Sequence, residues 1–132
     1  MATYLVTGGC GFIGSHLCKA LLSRGDAVRV LDDLSTGSIV NVPSAAAFIQ
    51  GDVADSGLVL EAIGGVDGCF HLAAIASVEL SNRDWLRTHR INLTGAITVF
   101  DAAIAAGRIP VVYASSAAVY GDCPSLPVRE SA

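Results

Sequence analysis

Gly8, Gly11 and Gly14 follow one another at every third residue, directly after the apolar run Tyr4-Leu5-Val6. Gly9, Gly11 and Gly14 also satisfy the tighter spacing G-x-G-x-x-G, and a helical apolar pattern opens at about Phe12. A strand, a glycine turn and a helix start in that order make a seat for a diphosphate. The missing Cβ atoms let the backbone approach the ligand, and the unpaired N–H groups of the helix face it with the positive end of the dipole. A structural turn alone would also use glycines, but it would not require the strand before and the helix after.

Carboxylates and hydroxyls stand where such a ligand would need them. Asp32 ends the second apolar run, Ala27–Leu31, and lies 18 residues beyond Gly14, where a carboxylate accepts hydrogen bonds from a ribose diol. No Arg or Lys lies between Leu31 and Asn41 to neutralise a 2′-phosphate, so NAD is favoured over NADP. Taken alone, Asp32 also reads as a solvated turn residue. Asp52, after a third run, could face the exocyclic amine of adenine or simply form a loop. Leu72-Ala73-Ala74 follow a fourth run with small side chains, which suits either a close cofactor or tight packing. Asn92 falls inside a helical stretch, where an amide is mildly unfavourable, so it either faces water or holds a neighbouring loop; the second is preferred. Ser115 and Ser116 end a fifth run and are candidate substrate contacts at the carboxyl end of a parallel strand.

The elements that must position these residues alternate regularly. Strands are expected at Tyr4–Val6, Ala27–Leu31, Ala46–Gln50, Gly68–Leu72 and Val111–Ala114. A first helix from about Phe12 carries Ile13, Leu17, Ala20, Leu21 and Arg24 on one face and stops at Gly25. A short helix is expected over Ser56–Ile63, and a long one over Asp84–Ala106 with Gly107 as its stop and Trp85 and Leu86 packing it down. The segment 38–45 and the last dozen residues read as loop. This alternation predicts an α/β fold, a Rossmann-type doubly wound parallel sheet with right-handed crossovers. Residues 1–132 are expected to form one dinucleotide-binding domain, with no boundary or internal repeat.

Apolar residues make up 52% of the chain and charged residues 15%, which suits a sheet buried on both faces and excludes a disordered polymer. The net charge of −4 speaks against nucleic acid or an anionic membrane as partner. No run approaches the roughly 20 apolar residues of a membrane span. Cys10, Cys18, Cys69 and Cys123 form no C-x-x-C pair, and no histidine stands at ligand spacing, so reduced thiols, a cytoplasmic setting and no metal site are expected. Cys10 reads as a small filler of the glycine loop, and His71 and His16 read as structural.

The segments Thr-Gly-Gly-Cys-Gly-Phe-Ile-Gly-Ser-His-Leu, Leu-Asp-Asp-Leu-Ser-Thr-Gly, Gly-Asp-Val, His-Leu-Ala-Ala and Ser-Ser-Ala-Ala-Val-Tyr-Gly occur in that order. Across its whole length the chain therefore resembles the NAD-dependent epimerase/dehydratase family of extended short-chain dehydrogenases. The resemblance implies that Gly8, Gly11, Phe12, Ile13, Gly14, Asp32, Asp33, Leu34, Ser35, Thr36, Gly37, Asp52, Val53, Leu72, Ala73, Ala74, Ile75, Ala76 and Asn92 line NAD. It implies that Ser116 is catalytic and hydrogen-bonds the reacting hydroxyl of a nucleotide sugar, a UDP-sugar by preference. At Ala76 the epimerase pattern often carries a lysine that reaches the cofactor.

Ala117 and Ala118 stand where the dehydratases and decarboxylases of the family carry an acid, which favours an epimerase that removes and returns a hydride at the sugar C4 through a ketosugar. The family's Tyr-x-x-x-Lys base would come after the last residue, so the chain alone is expected to be inactive. The apolar surface that the missing half would cover is expected to drive homodimerisation or other self-association. The competing readings are a non-catalytic dinucleotide-binding module or redox sensor, or a nucleotide-sugar dehydratase/reductase of the same family.

Overall fold

A computed structural model describes residues 1–124 and 126–131. Five strands form one parallel sheet: β1 (Thr3–Thr7), β2 (Ala27–Asp32), β3 (Ala47–Gln50), β4 (Gly68–His71) and β5 (Val111–Tyr113). Their order is β3-β2-β1-β4-β5. Thr7 pairs with Leu31 on one side and with His71 on the other, so the carboxyl ends of β1, β2 and β4 finish level. Successive strands move outward from β1 in opposite directions, and the point where the order reverses, between β1 and β4, opens a crevice above the strand ends. The doubly wound sheet read from the alternation of elements is the one observed.

Strand residues alternate between two buried layers because successive side chains point to opposite faces. Leu5 and Leu31 join Val59, Ile63, Val99 and Ala103 on one face, under helices α2 (Ser56–Ile63) and α5 (Gly95–Ala105). Val6, Val28 and Val30 join Cys18 and Leu21 on the other face, under α1 (Phe12–Ser23). Arg29 donates from Nη1 to the carbonyls of Ala62 and Gly64 and so closes the C-terminus of α2, where a cation also suits the dipole. Gly25 follows α1 at φ +86°, the left-handed stop that its position after the helix predicts.

The helical stretches differ from the pattern reading in two places. In α1 the buried residues are Gly14, Ser15, Cys18 and Leu21, while Ile13 is 67% exposed. The stripe is set by Gly14, which must lie under the glycine turn, and this rotates Ile13 outward. The single helix expected over Asp84–Ala106 is a composite of α4 (Trp85–His89), a π-helical segment (Arg90–Thr94) and α5, preceded by an unforeseen α3 (Val78–Arg83). Ser77 caps α3 by accepting from the Leu80 N–H, and Asp84 caps α4 by accepting from the Arg87 N–H. Trp85 and Leu86, expected to pack the helix down, are 77% and 87% exposed. Among the described residues, no helix is long and apolar enough to cross a membrane.

Candidate functional site

A cleft of about 100 Å³ lies at the crevice, walled by Gly8, Gly11, Asp32, Asp33, Ser35, Thr36, Gly37, Val53, Leu72, Ala73, Ala74 and Ile75. The structure thus gathers four segments far apart in sequence, each singled out by its residue types. Gly51 and Ile91 complete the wall and were not anticipated. Gly51 carried a signal in its Gly-Asp pair, whereas Ile91 is turned toward the cleft by the π-helical segment, which has no residue-type signature.

The glycine loop separates into residues that the fold needs and one that a ligand needs. A Cβ on Gly14 would stand 2.2 Å from the Gly8 carbonyl oxygen and 2.8 Å from Gly9 Cα, so helix and turn touch there. Gly8 adopts φ +70°, and a Cβ on it would meet the Ala73 backbone at 2.7 Å. Gly11 differs: its backbone is extended, at φ −77° and ψ 179°, and the only atom near a built Cβ is the Gly8 oxygen at 3.3 Å. A methyl group there would press on that one oxygen, which must give by a few tenths of an ångström, with nothing else within 4 Å of it. Gly11 is also the N-cap of α1 without any side-chain cap, so the first-turn N–H groups of that helix lack a side-chain acceptor. An uncapped helix start above a glycine that leaves free space is a cradle for an anion.

Asp32 is 8% exposed and anchors the cleft from the opposite side. Its Oδ2 accepts from the Cys10 N–H at 3.0 Å and its Oδ1 from the Leu34 N–H at 2.9 Å. One carboxylate therefore ties the glycine loop to the loop after β2, and each oxygen keeps a lone pair for a ligand hydroxyl. The Cys10 carbonyl strengthens the seam by accepting from Ser38 N–H and from Asn41 Nδ2. Asp33 turns its own loop by accepting from the Ser35 N–H. Burial and the neighbouring Asp32 push the Cys10 thiol up to about 12; burial alone pushes Cys69 up to about 12 and Cys18 up to about 11. These thiols stay protonated near neutrality, which fits Cys10 as a filler rather than a nucleophile.

At the far end, Asp52 accepts at Oδ2 from Arg90 Nε and pairs with Nη2 of the same guanidinium, both at 3.0 Å, while Oδ1 accepts from the Ala54 N–H. Asn92 holds the Ile75 backbone from both sides, the loop-holding role preferred for it over a solvent-facing one. Arg90, Ile91 and Asn92 all belong to the π-helical segment, whose wider turn presents three consecutive residues toward the cleft rim; such segments often mark functional sites.

Several candidates stand apart from the wall. Phe12 and Ile13 lie at the open start of α1, Phe12 stacked edge-on against His16 at 4.9 Å. Leu34 packs into the α1-side core, and Ala76 is exposed just past Ile75. Ser116 is exposed beyond β5, where its Oγ accepts from the Ala118 N–H and caps a short 3-10 turn, Ala117–Tyr120.

Comparison with known proteins places these features in a group. The model of the NAD dependent epimerase/dehydratase family matches residues 4–132. A UDP-glucose 4-epimerase of Lacticaseibacillus casei is 38% identical over 131 residues, covering 98% of this chain and 40% of the relative. The crystal structure of a UDP-glucose 4-epimerase from Brucella ovis in complex with NAD is 35% identical with a TM-score of 0.91, over 99% of this chain and 41% of that one. A UDP-glucose-4-epimerase from Stenotrophomonas maltophila, with bound NAD and formylated UDP-arabinopyranose, is 34% identical with a TM-score of 0.88, over 100% of this chain and 42% of the other. The chain thus spans about two fifths of the length of these relatives.

Proposed function

The chain belongs to the NAD-dependent epimerase/dehydratase family, and from that premise we propose that it is the NAD-binding portion of a nucleotide-sugar epimerase acting on a UDP-sugar. The observation that carries this reading is the pairing of Gly11 with Asp32 across one cleft. Gly11 leaves room for a phosphate at an uncapped helix start, and Asp32 presents a fixed carboxylate to a diol. Relatives of matching fold hold NAD, and one of them also holds a UDP-sugar.

On this reading Gly8, Gly11, Phe12 and Ile13 receive the diphosphate, and Gly14 seats the helix that faces it. Asp32 takes the adenosine ribose, and Asp33 to Gly37 form the wall beside it. Asp52 and Val53 flank adenine, with the Asp52 carboxylate steadied by Arg90. Leu72 to Ala76 lie along the cofactor, held in place by Asn92. Bound NAD supplies a hydride acceptor. Ser116 keeps its hydroxyl proton free for a sugar oxygen, since it meets the Ala118 N–H with a lone pair. Ala117 and Ala118 offer no proton-transfer group, which supports epimerisation over dehydration.

Two measurements test the reading. Calorimetric titration of the chain with NAD should give saturable binding that is lost on blocking the cradle at Gly11. In a longer protein carrying this segment, Ser116→Ala should lower epimerase turnover far more than NAD occupancy, and unchanged turnover removes Ser116 from the reaction. A cytoplasmic location and assembly as a homodimer belong to the same proposal.

A further inference from the structure

Thr7 closes β1 immediately before Gly8, and its side chain is fully buried. Its Oγ1 accepts from the Ala73 N–H at 3.2 Å and from the Leu72 N–H at 3.1 Å, a proton it shares with the Thr7 carbonyl oxygen at 3.2 Å. A hydroxyl has two lone pairs and one proton, so both lone pairs are committed. The third neighbour is His71 Nδ1, at 2.7 Å. The arrangement that gives the buried hydroxyl proton an acceptor points it at a bare Nδ1 and places the imidazole proton on Nε2. A charged ring would set a second proton against the first. Burial of His71 opposes that state, lowering its pKa below the ordinary 6.5.

The two amides held by Thr7 belong to the cleft wall. Leu72 and Ala73 line it, and the Ala73 backbone lies closer to Gly8 than any side chain there would permit. One hydroxyl thus spans from the end of β1 to the turn after β4.

We propose that His71 is a positioning residue for the dinucleotide cleft: by accepting the Thr7 proton at Nδ1, it aims both hydroxyl lone pairs at the Leu72 and Ala73 amides and so sets the distance between the 72–74 turn and the glycine turn. Without an acceptor at 71, the buried hydroxyl proton has no partner and competes with one of those amides. The turn then relaxes, and the close backbone approach at Gly8 is lost. The ligand in this inference rests on the NAD reading; the hydrogen-bond relay does not.

The test uses the 132-residue chain. Nitrogen-15 spectra of the unmutated protein should show His71 as the neutral Nε2–H form with an accepting Nδ1. His71→Asn places Oδ1 near the position of Nδ1 and should preserve slow amide exchange at Leu72 and Ala73 and an unchanged NAD affinity. His71→Leu has no acceptor and should speed exchange at Ala73, while Leu72 keeps its bond to the Thr7 carbonyl, and should weaken NAD binding by about tenfold, the scale of one net hydrogen bond. If His71→Leu does not fold, His71→Ala supplies the acceptor-free arm of the same contrast. An Nδ1–H tautomer, or equal exchange and affinity in the Asn and Leu variants, overturns the role of His71. Absence of NAD binding in the unmutated chain, with the exchange contrast intact, overturns the cofactor reading and leaves the relay standing.

Discussion

The side-chain amide of Asn92 is paired on both edges with the backbone of Ile75: Oδ1 accepts its N–H at 2.8 Å, and Nδ2 donates to its carbonyl at 3.0 Å. The π-helical segment thereby controls the turn after β4, which has no regular hydrogen bonding of its own beyond Ala73. Asn92→Leu removes both bonds and should cost about 1–2 kcal/mol of stability, the net value of two partly exposed hydrogen bonds. Urea unfolding measures this, and a loss below a few tenths of a kcal/mol would show that water replaces the amide without penalty.

Gly11 and Gly14 should respond differently to the same methyl group. Gly14→Ala drives Cβ into backbone at 2.2 Å and should destabilise the fold by about 1–3 kcal/mol or more. Gly11→Ala should cost much less stability than Gly14→Ala, since its φ and ψ suit any residue and its Cβ presses only on the Gly8 oxygen at 3.3 Å, yet should abolish NAD binding measured by calorimetry. Unimpaired binding by Gly11→Ala would move the diphosphate elsewhere.

Asp32 should set cofactor choice. The chain should prefer NAD to NADP, because a 2′-phosphate would meet a carboxylate held on both oxygens and no cation nearby in sequence. Asp32→Ala should weaken NAD binding by an amount on the order of 1–3 kcal/mol and also loosen the seam to Cys10 and Leu34. Equal calorimetric affinities for the two cofactors in the unmutated chain would sink the assignment.

Acid should weaken the protein through His71. Its folded pKa lies below the unfolded value of 6.5, so the unfolded chain binds the proton first. The contribution is complete above pH 6.5 and is lost as the pH falls from there toward the lower folded pKa. Thermal midpoints recorded from pH 7 to 5 should fall, and His71→Asn should flatten that part of the profile. An identical slope in the variant would place the sensitivity in other groups.

The chain should self-associate. Phe100, Ile104, Ile109, Val111 and Tyr113 bound an apolar recess of about 270 Å³ between α5 and the edge strand β5, and Ile104 is 66% exposed. Each Å² covered contributes roughly 25 cal/mol, so a few hundred Å² drives association by several kcal/mol. Light scattering should show species larger than one chain, and Ile104→Lys should shift the population toward monomer. A monomer at all concentrations in the unmutated chain would contradict this.

The strand positions, the helix Ser56–Ile63 and the gathering of Gly8, Asp32 and Leu72–Ala74 at one cleft were legible in the sequence because each depends on local chemistry. A buried strand is a short apolar run, a tight turn needs glycine, and a strand-end carboxylate marks a loop that faces a ligand. Parallel pairing with alternating helices then leaves few topologies, and the crevice at β1 and β4 follows from them.

What the sequence could not express depends on contacts between segments far apart. The π-helical turn at Arg90–Thr94 reads as ordinary helix, because widening it by one residue is stabilised by the Arg90 pair with Asp52 and the Asn92 pair with Ile75. The division of labour within the glycine loop appears only when Cβ positions can be measured: a Cβ on Gly14 or Gly8 would drive into neighbouring backbone under 3.0 Å, whereas one on Gly11 would meet a single oxygen at 3.3 Å. The tautomer of His71 follows from counting donors and acceptors around Thr7, a residue 64 positions away. Sequence periodicity determined the five strands and the helices α1 and α2; the close approach of their ends decided which atoms face the cleft.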